Sequence, residues 1–202
     1  MMKREQVERE AKLRLLHRLL MSYQDFQQAS QIASYILVHK LQEKVDRFRG
    51  RRRYRIKLLW EALNCAMVVA YCRPFEGNDR RSAKRIPDLP KRFLESFGAK
   101  EKELHFTAME DRNTLLAHSD SNAWNLRLFF WESTSGRKVF VPLSDDVRAP
   151  LIHEEVQRLH NMCGKLMELL FEERMRLEKE LGDIFPIVKA SEIIATEKVE
   201  KK

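Results

Sequence analysis

Apolar residues recur at helical spacing along most of the chain. Val7, Ala11, Leu15, Leu19 and Tyr23 stand four apart in an otherwise charged stretch, which predicts an amphipathic helix over 3–23. Ile32, Tyr35, Ile36, His39 and Val45 carry the pattern over 24–48, as a second helix or a prolongation of the first, until Gly50 breaks it. Ile56, Leu59, Leu63, Met67, Ala70 and Tyr71 mark a strongly apolar helix, expected inside a bundle. Arg73-Pro74-Phe75-Glu76-Gly77-Asn78 stops it, because proline lacks the N–H and restrains its predecessor. A basic loop follows over 77–92, then a short turn over 91–97 that Gly98 ends. The next helix, from Glu101 to about Ser119, keeps Leu104, Ala108 and Leu115 on its buried stripe.

The period then changes. Aromatic and aliphatic residues crowd 124–131 and 138–143, with Ser133-Thr134-Ser135-Gly136 between them, which predicts a β-hairpin over about 124–143. From Pro150 to Leu181, Ile152, Val156, Leu159, Cys163, Leu166 and Leu170 alternate by four and three. Pro150 suits the first turn of that long helix and Gly182 its end. Such a heptad serves packing within the chain or a dimer seam. The expected fold is therefore all-α: a bundle of four to five main helices with a small inserted β-hairpin. It forms one domain over 1–185, followed by a polar, disordered tail over 186–202. No internal repeat is present.

Composition narrows the class. The 202 residues are 44% apolar, enough for a real core, and contain only six glycines and six prolines, as long elements require. The net charge is +8 and the isoelectric point about 9.5, which suits an anionic partner. Three cysteines, Cys65, Cys72 and Cys163, fit a reducing compartment. No metal site is expected. There is no paired Cys-x-x-Cys, and His153-Glu154-Glu155 lacks the second histidine of a zinc helix. The mixed charges of 3–12 do not make a signal peptide, and the apolar run over 65–72 is too short to span a bilayer. A cytoplasmic protein without a membrane segment is expected.

The chemistry concentrates in Asp111-Arg112-Asn113-Thr114-Leu115-Leu116-Ala117-His118-Ser119-Asp120. Histidine titrates near neutrality and can take or give a proton. Arginine stays charged and presents a planar fork to phosphate oxygens. Asn113 adds a neutral donor and acceptor. On an ideal helix Arg112 and His118 lie about 120° apart. Either the arginine curls round, or the helix ends near His118, or the two meet across a two-fold axis. Ser119-Asp120-Ser121-Asn122 favours an ending there. The plainer account is a helix C-terminus, with His118 at the negative end of the dipole and Arg112 paired with Asp111 or Glu110.

This run resembles the signature of the HEPN superfamily of helical RNA-binding and RNA-cleaving domains, in the form Arg-Asn-x-x-x-Ala-His-x-Asp found in abortive-infection proteins. The resemblance covers roughly 25–181, with its specific part at 112–118. It implies an up-down bundle that pairs as a homodimer, RNA as partner, and a metal-independent endoribonuclease, a toxin or phage-defence effector. Arg112 would bind the scissile phosphate, His118 handle the proton and Asn113 position groups. No cofactor is implied. An antitoxin or another protein partner would fit the same class. Some members carry a tyrosine two residues after the histidine as a modification target; Asp120 stands there instead, so that regulation is not implied. Many members lack catalysis, which leaves a non-catalytic module binding RNA, nucleotide or protein, or a helical adaptor, as alternatives.

Supporting roles fall to Asp111, Asp120, Arg73 and His105. Arg73-Pro74-Phe75 recurs beside the motif in proteins that resemble this one, although alone it is only a helix stop. His105, seven residues before Arg112, joins the site or serves as a structural histidine. Arg51, Arg52, Arg53 and Arg55 are candidates to track an RNA backbone, with Tyr54 to stack on a base, or are simply a solvated stretch. The same two readings apply to Arg80, Arg81, Lys84 and Arg85. Leu159, Leu166, Leu170, Trp124 and Phe130 offer apolar surface for a dimer.

Overall fold

The N-terminal pattern resolves into one helix: α1 runs unbroken over Met2–Val38. In this computed structural model, residues 2–76, 86–113, 126–132, 134, 136–144 and 150–182 are described. What stops α1 is not Gly50 but the pair before α2. The His39 N–H still donates to the Tyr35 carbonyl, and the Lys40 N–H reaches only Leu37. Lys40 takes φ 48°, ψ 49°, the left-handed region that a side chain enters at a cost of about 1–2 kcal/mol. The chain then turns into α2, Leu41–Arg47, which buries Leu41 and Val45. Gly50, at φ 58°, opens the next helix rather than closing the last.

That helix, α3, spans Gly50–Cys72. Only its second half is interior. Trp60, Met67, Val68, Ala70, Tyr71 and Cys72 are buried, whereas 51–55 and Leu58 and Leu59 are exposed. The expectation of an interior helix thus holds for its second half only, because the first turns carry arginines that stay in solvent. A short 3₁₀ turn, Lys91–Leu94, buries Phe93 and leads through Gly98 into α4, Ala99–Asp111. Buried Arg18 of α1 anchors the preceding segment, donating to the Pro87 carbonyl at 2.5 Å. The regular part of α4 is described to Asp111 and continues as a π-type turn at Arg112 and Asn113; the rest of the expected helix, to about Ser119, lies outside the described residues.

The long C-terminal helix, α5, covers His153–Leu181. Pro150 lies ahead of it. The first turn is closed by the Glu155 carboxylate, which accepts the Ile152 N–H at 2.9 Å. Val156, Leu159, Met162, Cys163, Leu166, Leu170, Leu177 and Leu181 are all buried, mainly against Leu16, Leu19, Phe26, Ala29, Ala33 and Ile36 of α1. The heptad is therefore spent inside the chain. Leu159, Leu166 and Leu170 cannot also form a dimer seam, which corrects that expectation. Truncating one of them to alanine costs about 2–5 kcal/mol.

The framework is an all-α helical bundle. Two further segments, β1 (Leu126–Glu132) and β2 (Lys138–Ser144), pair antiparallel, with Leu126 opposite Ser144 and Glu132 opposite Lys138. No helix among the described residues is long and apolar enough to cross a membrane. Trp60 is a core residue; Trp124 and the tail from 186 lie outside the described residues.

Candidate active site

The C-terminal end of α3 meets the C-terminal end of α4. Cys72 Sγ donates to the Ala108 carbonyl at 3.4 Å, and Tyr71 Oη lies 3.0 Å from His105 Nδ1. Three aromatic rings, Phe26, Tyr71 and Phe75, pack at centroid distances of 5.6–5.9 Å, and the His105 ring stands edge-on to Phe75 at 4.6 Å. This aromatic floor fixes where the chain emerges from α3. Pro74 is held from the other side, its carbonyl accepting the Leu89 N–H at 2.8 Å.

Glu76 and the end of α4 come together above that floor. The backbone of α4 widens into a π-type turn at Arg112 and Asn113, a local feature that often accompanies function. Arg112 Nη1 donates to Asn113 Oδ1 at 2.9 Å, and Asn113 Nδ2 donates to Glu76 Oε2 at 2.7 Å. The same carboxylate oxygen is 4.0 Å from Arg112 Nη1. The result is a three-membered polar cluster in which Asn113 bridges a cation and an anion. Arg112 thus meets Asn113 beside it and Glu76 across from it.

The other candidates separate. His118 and Asp120 lie outside the described residues, as do Arg80, Arg81, Lys84 and Arg85. His105 is only 5% exposed, and burial pushes its imidazole down to about 4, so it is neutral at pH 7. It is a core histidine bound to Tyr71, not a group facing substrate. Arg73 turns to α1, with Nη1 3.3 Å from Asp25 Oδ1 and 3.2 Å from Gln28 Oε1. It pins the end of α3 and takes no part in the Arg112 cluster. Asp111 is half-buried; burial raises its carboxyl, and Glu110 and Glu155 raise it further. His160 is half-buried against Ser30 Oγ at 3.0 Å, a packing role, while His153 is exposed.

Arg51, Arg52, Arg53 and Arg55 are all exposed at the start of α3, and Tyr54 is 68% exposed among them. The Arg52 guanidinium stacks 3.8 Å over the Phe48 ring, and Arg49 reaches only the carbonyls of Asp46 and Phe48. Among the described residues no group of three His, Cys, Asp or Glu side chains is placed to hold a metal ion. All three cysteines are free, and burial pushes the Cys72 and Cys163 thiols up to about 12.

Sequence reasoning missed Glu76. Its only signal is its place directly after Arg73-Pro74-Phe75, in a segment otherwise read as a helix stop. No family model matches this chain, no curated protein matches it, and no solved structure matches it.

Proposed function

We propose that the chain is a metal-independent endoribonuclease similar to HEPN domains, of the toxin or phage-defence kind. The observation that carries the reading is the Arg112–Asn113 arrangement at the end of α4. A half-buried guanidinium is tethered by the amide next to it and already faces an anionic oxygen. Arg112 binds the scissile phosphate in this reading, Asn113 sets its orientation, and His118, five residues beyond Asn113, moves the 2′-hydroxyl proton. The arginines at 51–55 hold the RNA backbone. The β1–β2 pair is read as an insertion after the motif segment of an up-down bundle, in a cytoplasmic protein.

A homodimer belongs to the same reading, because an ideal helix puts Arg112 and His118 on different faces. Phe106 supports it. This α4 residue is 67% exposed, two helical turns before Asn113, on a side of the helix that the core leaves open. Phe130 on β1 is 69% exposed. An antitoxin or other protein partner would compete for such surface. The second reading, a non-catalytic module binding RNA, nucleotide or protein, draws on Glu76, whose charge opposes a phosphate at Arg112.

Purified protein is expected to cleave RNA in EDTA, and His118→Ala to slow cleavage by about two to four powers of ten, the worth of general acid–base catalysis. Mixing the inactive Arg112→Ala and His118→Ala proteins should restore part of the activity, because a mixed dimer contains one intact composite site. Cleavage that survives His118→Ala sinks the mechanism. Absence of cleavage alongside RNA binding that depends on Arg112 favours the non-catalytic module.

A further inference from the structure

The Arg112 cluster already contains an anion. Glu76 Oε2 accepts a hydrogen bond from Asn113 Nδ2 at 2.7 Å and stands 4.0 Å from Arg112 Nη1. A carboxylate oxygen and a phosphate oxygen make the same demands on an amide N–H and a guanidinium: a short, charge-assisted contact along the donor direction. The position of Glu76 Oε2 therefore marks where an anionic oxygen sits in this cluster. One of the donors that a phosphodiester needs, Asn113 Nδ2, is directed at this group of the protein itself, while Arg112 Nη1 donates to Asn113 Oδ1 beside it.

Two features set Glu76 apart from an ordinary surface ion pair. Its side chain is 52% exposed, whereas that of Arg112 is 21% exposed, so the anion is the partner that can swing into water while the cation stays. And it lies just beyond Pro74 and Phe75, whose packing fixes the backbone, so its return path is short. Elsewhere the protein pairs glutamates with arginines more tightly. Glu173 takes Arg92 at 2.7 Å and Arg176 at 2.8 Å, and Arg174 meets Glu178 at 2.6 Å. The Arg112–Glu76 separation is the loosest of these, and it leaves the guanidinium room to turn toward an incoming ligand.

We propose that Glu76 is a specificity-determining residue, the built-in occupant of the phosphate seat formed by Arg112 and Asn113, which an incoming phosphodiester must displace. This rests on the reading of Arg112 as the phosphate-binding residue. Its consequence is discrimination. A ligand that only brings one phosphate close gains little over the glutamate already in place. A strand held at further points has the affinity to evict it.

The test is a double-mutant cycle on binding. The probe is a fluorescent 2′-O-methyl RNA of about six nucleotides, which lacks the hydroxyl needed for cleavage and lies within the size of one single-strand site. Fluorescence anisotropy is read at low salt for wild type, Glu76→Gln, Arg112→Gln and the double variant. Glu76→Gln keeps an oxygen for Asn113 and removes only the charge. It is expected to tighten binding about three- to fivefold in the wild-type background, the upper end of the scale of an exposed ion pair, and less than about twofold beside Arg112→Gln. Equal tightening in both backgrounds would show a general charge effect and overturn the proposal. So would unchanged or weaker binding by Glu76→Gln while Arg112→Gln loses affinity, with the phosphate reading left intact. If Arg112→Gln binds the probe as well as wild type does, the phosphate reading itself falls and the proposal falls with it. Thermal melts of all four proteins exclude misfolding, and Arg112→Met, which keeps an unbranched side chain without the charge, replaces Arg112→Gln should the latter melt early.

Discussion

His105 shows how one residue's surroundings decide its work. The side chain lies under α3, bonded to Tyr71 and flanked by Phe75, and burial drives its imidazole down to about 4. An unfolded histidine titrates near 6.5. Between these values the unfolded chain binds the proton and the folded one does not, so stability is full above about pH 6.5 and falls as the pH drops toward 4. The most this group can cost is about 3 kcal/mol. Asp111 works in the opposite sense, because its raised carboxyl pKa favours the folded state as the pH falls. Urea unfolding at pH 7 and pH 4.5 checks the histidine, with His105→Gln expected to flatten the loss. An equally steep loss in that variant would assign the acid sensitivity elsewhere. None of this is visible in the sequence, which leaves His105 open between a supporting place in the site and a structural role. Seven residues separate His105 from Arg112, and helical spacing puts them on one stripe. Only the packing shows that this stripe faces Tyr71 at one end and Glu76 at the other.

The elements were legible where period and burial agree. The α5 heptad marks a helix that packs along α1, and the break at Pro74 falls where α3 ends. The boundary between α1 and α2 was hidden, because nothing in the local sequence announces a left-handed lysine; glycine is the residue expected there. The same mismatch gives a prediction. Lys40→Gly removes the steric cost of φ 48° and sacrifices only the exposed pair with Glu43, at 3.7 Å. Glycine also carries more unfolded-state entropy, which offsets part of the gain. A net stabilisation of about 0.5 kcal/mol is expected, a rise of about 1–2 °C in Tm for a chain of this size. A lower Tm would mean that the lysine holds α2 by a contact worth more than the strain. The site's own geometry was least legible, since Glu76 and Asn113 are 37 positions apart and meet only because Cys72 is drawn against Ala108.

On the scale of the molecule, the charge is unevenly settled. Along α5 each of Arg174 and Arg176 is matched by a glutamate within 2.8 Å. At the start of α3, Arg51, Arg53 and Arg55 are exposed with no carboxylate beside them among the described residues, and Arg49 and Arg52 turn to carbonyls and a ring. Mutual repulsion of this kind is relieved by a polyanion such as an RNA strand. Cys72, against which the Arg112 cluster is built, is at the other end of the same helix, 23 residues long and so about 35 Å. A strand touching both ends needs about ten stacked nucleotides at roughly 3.4 Å each. The triple change Arg51→Ala, Arg53→Ala, Arg55→Ala is therefore expected to act on long RNA and spare short RNA. For a strand of about twenty nucleotides, the slope of log K against log salt should shrink by about two, from the loss of two to three phosphate contacts at roughly 0.7 each. For the six-nucleotide probe seated at Arg112 the slope should hardly move. These side chains are solvent-exposed, so the fold should be unaffected, which a thermal melt verifies. Equal slopes for the long strand before and after the change would mean that the arginine ridge is solvated surface and that RNA, if bound, is held elsewhere.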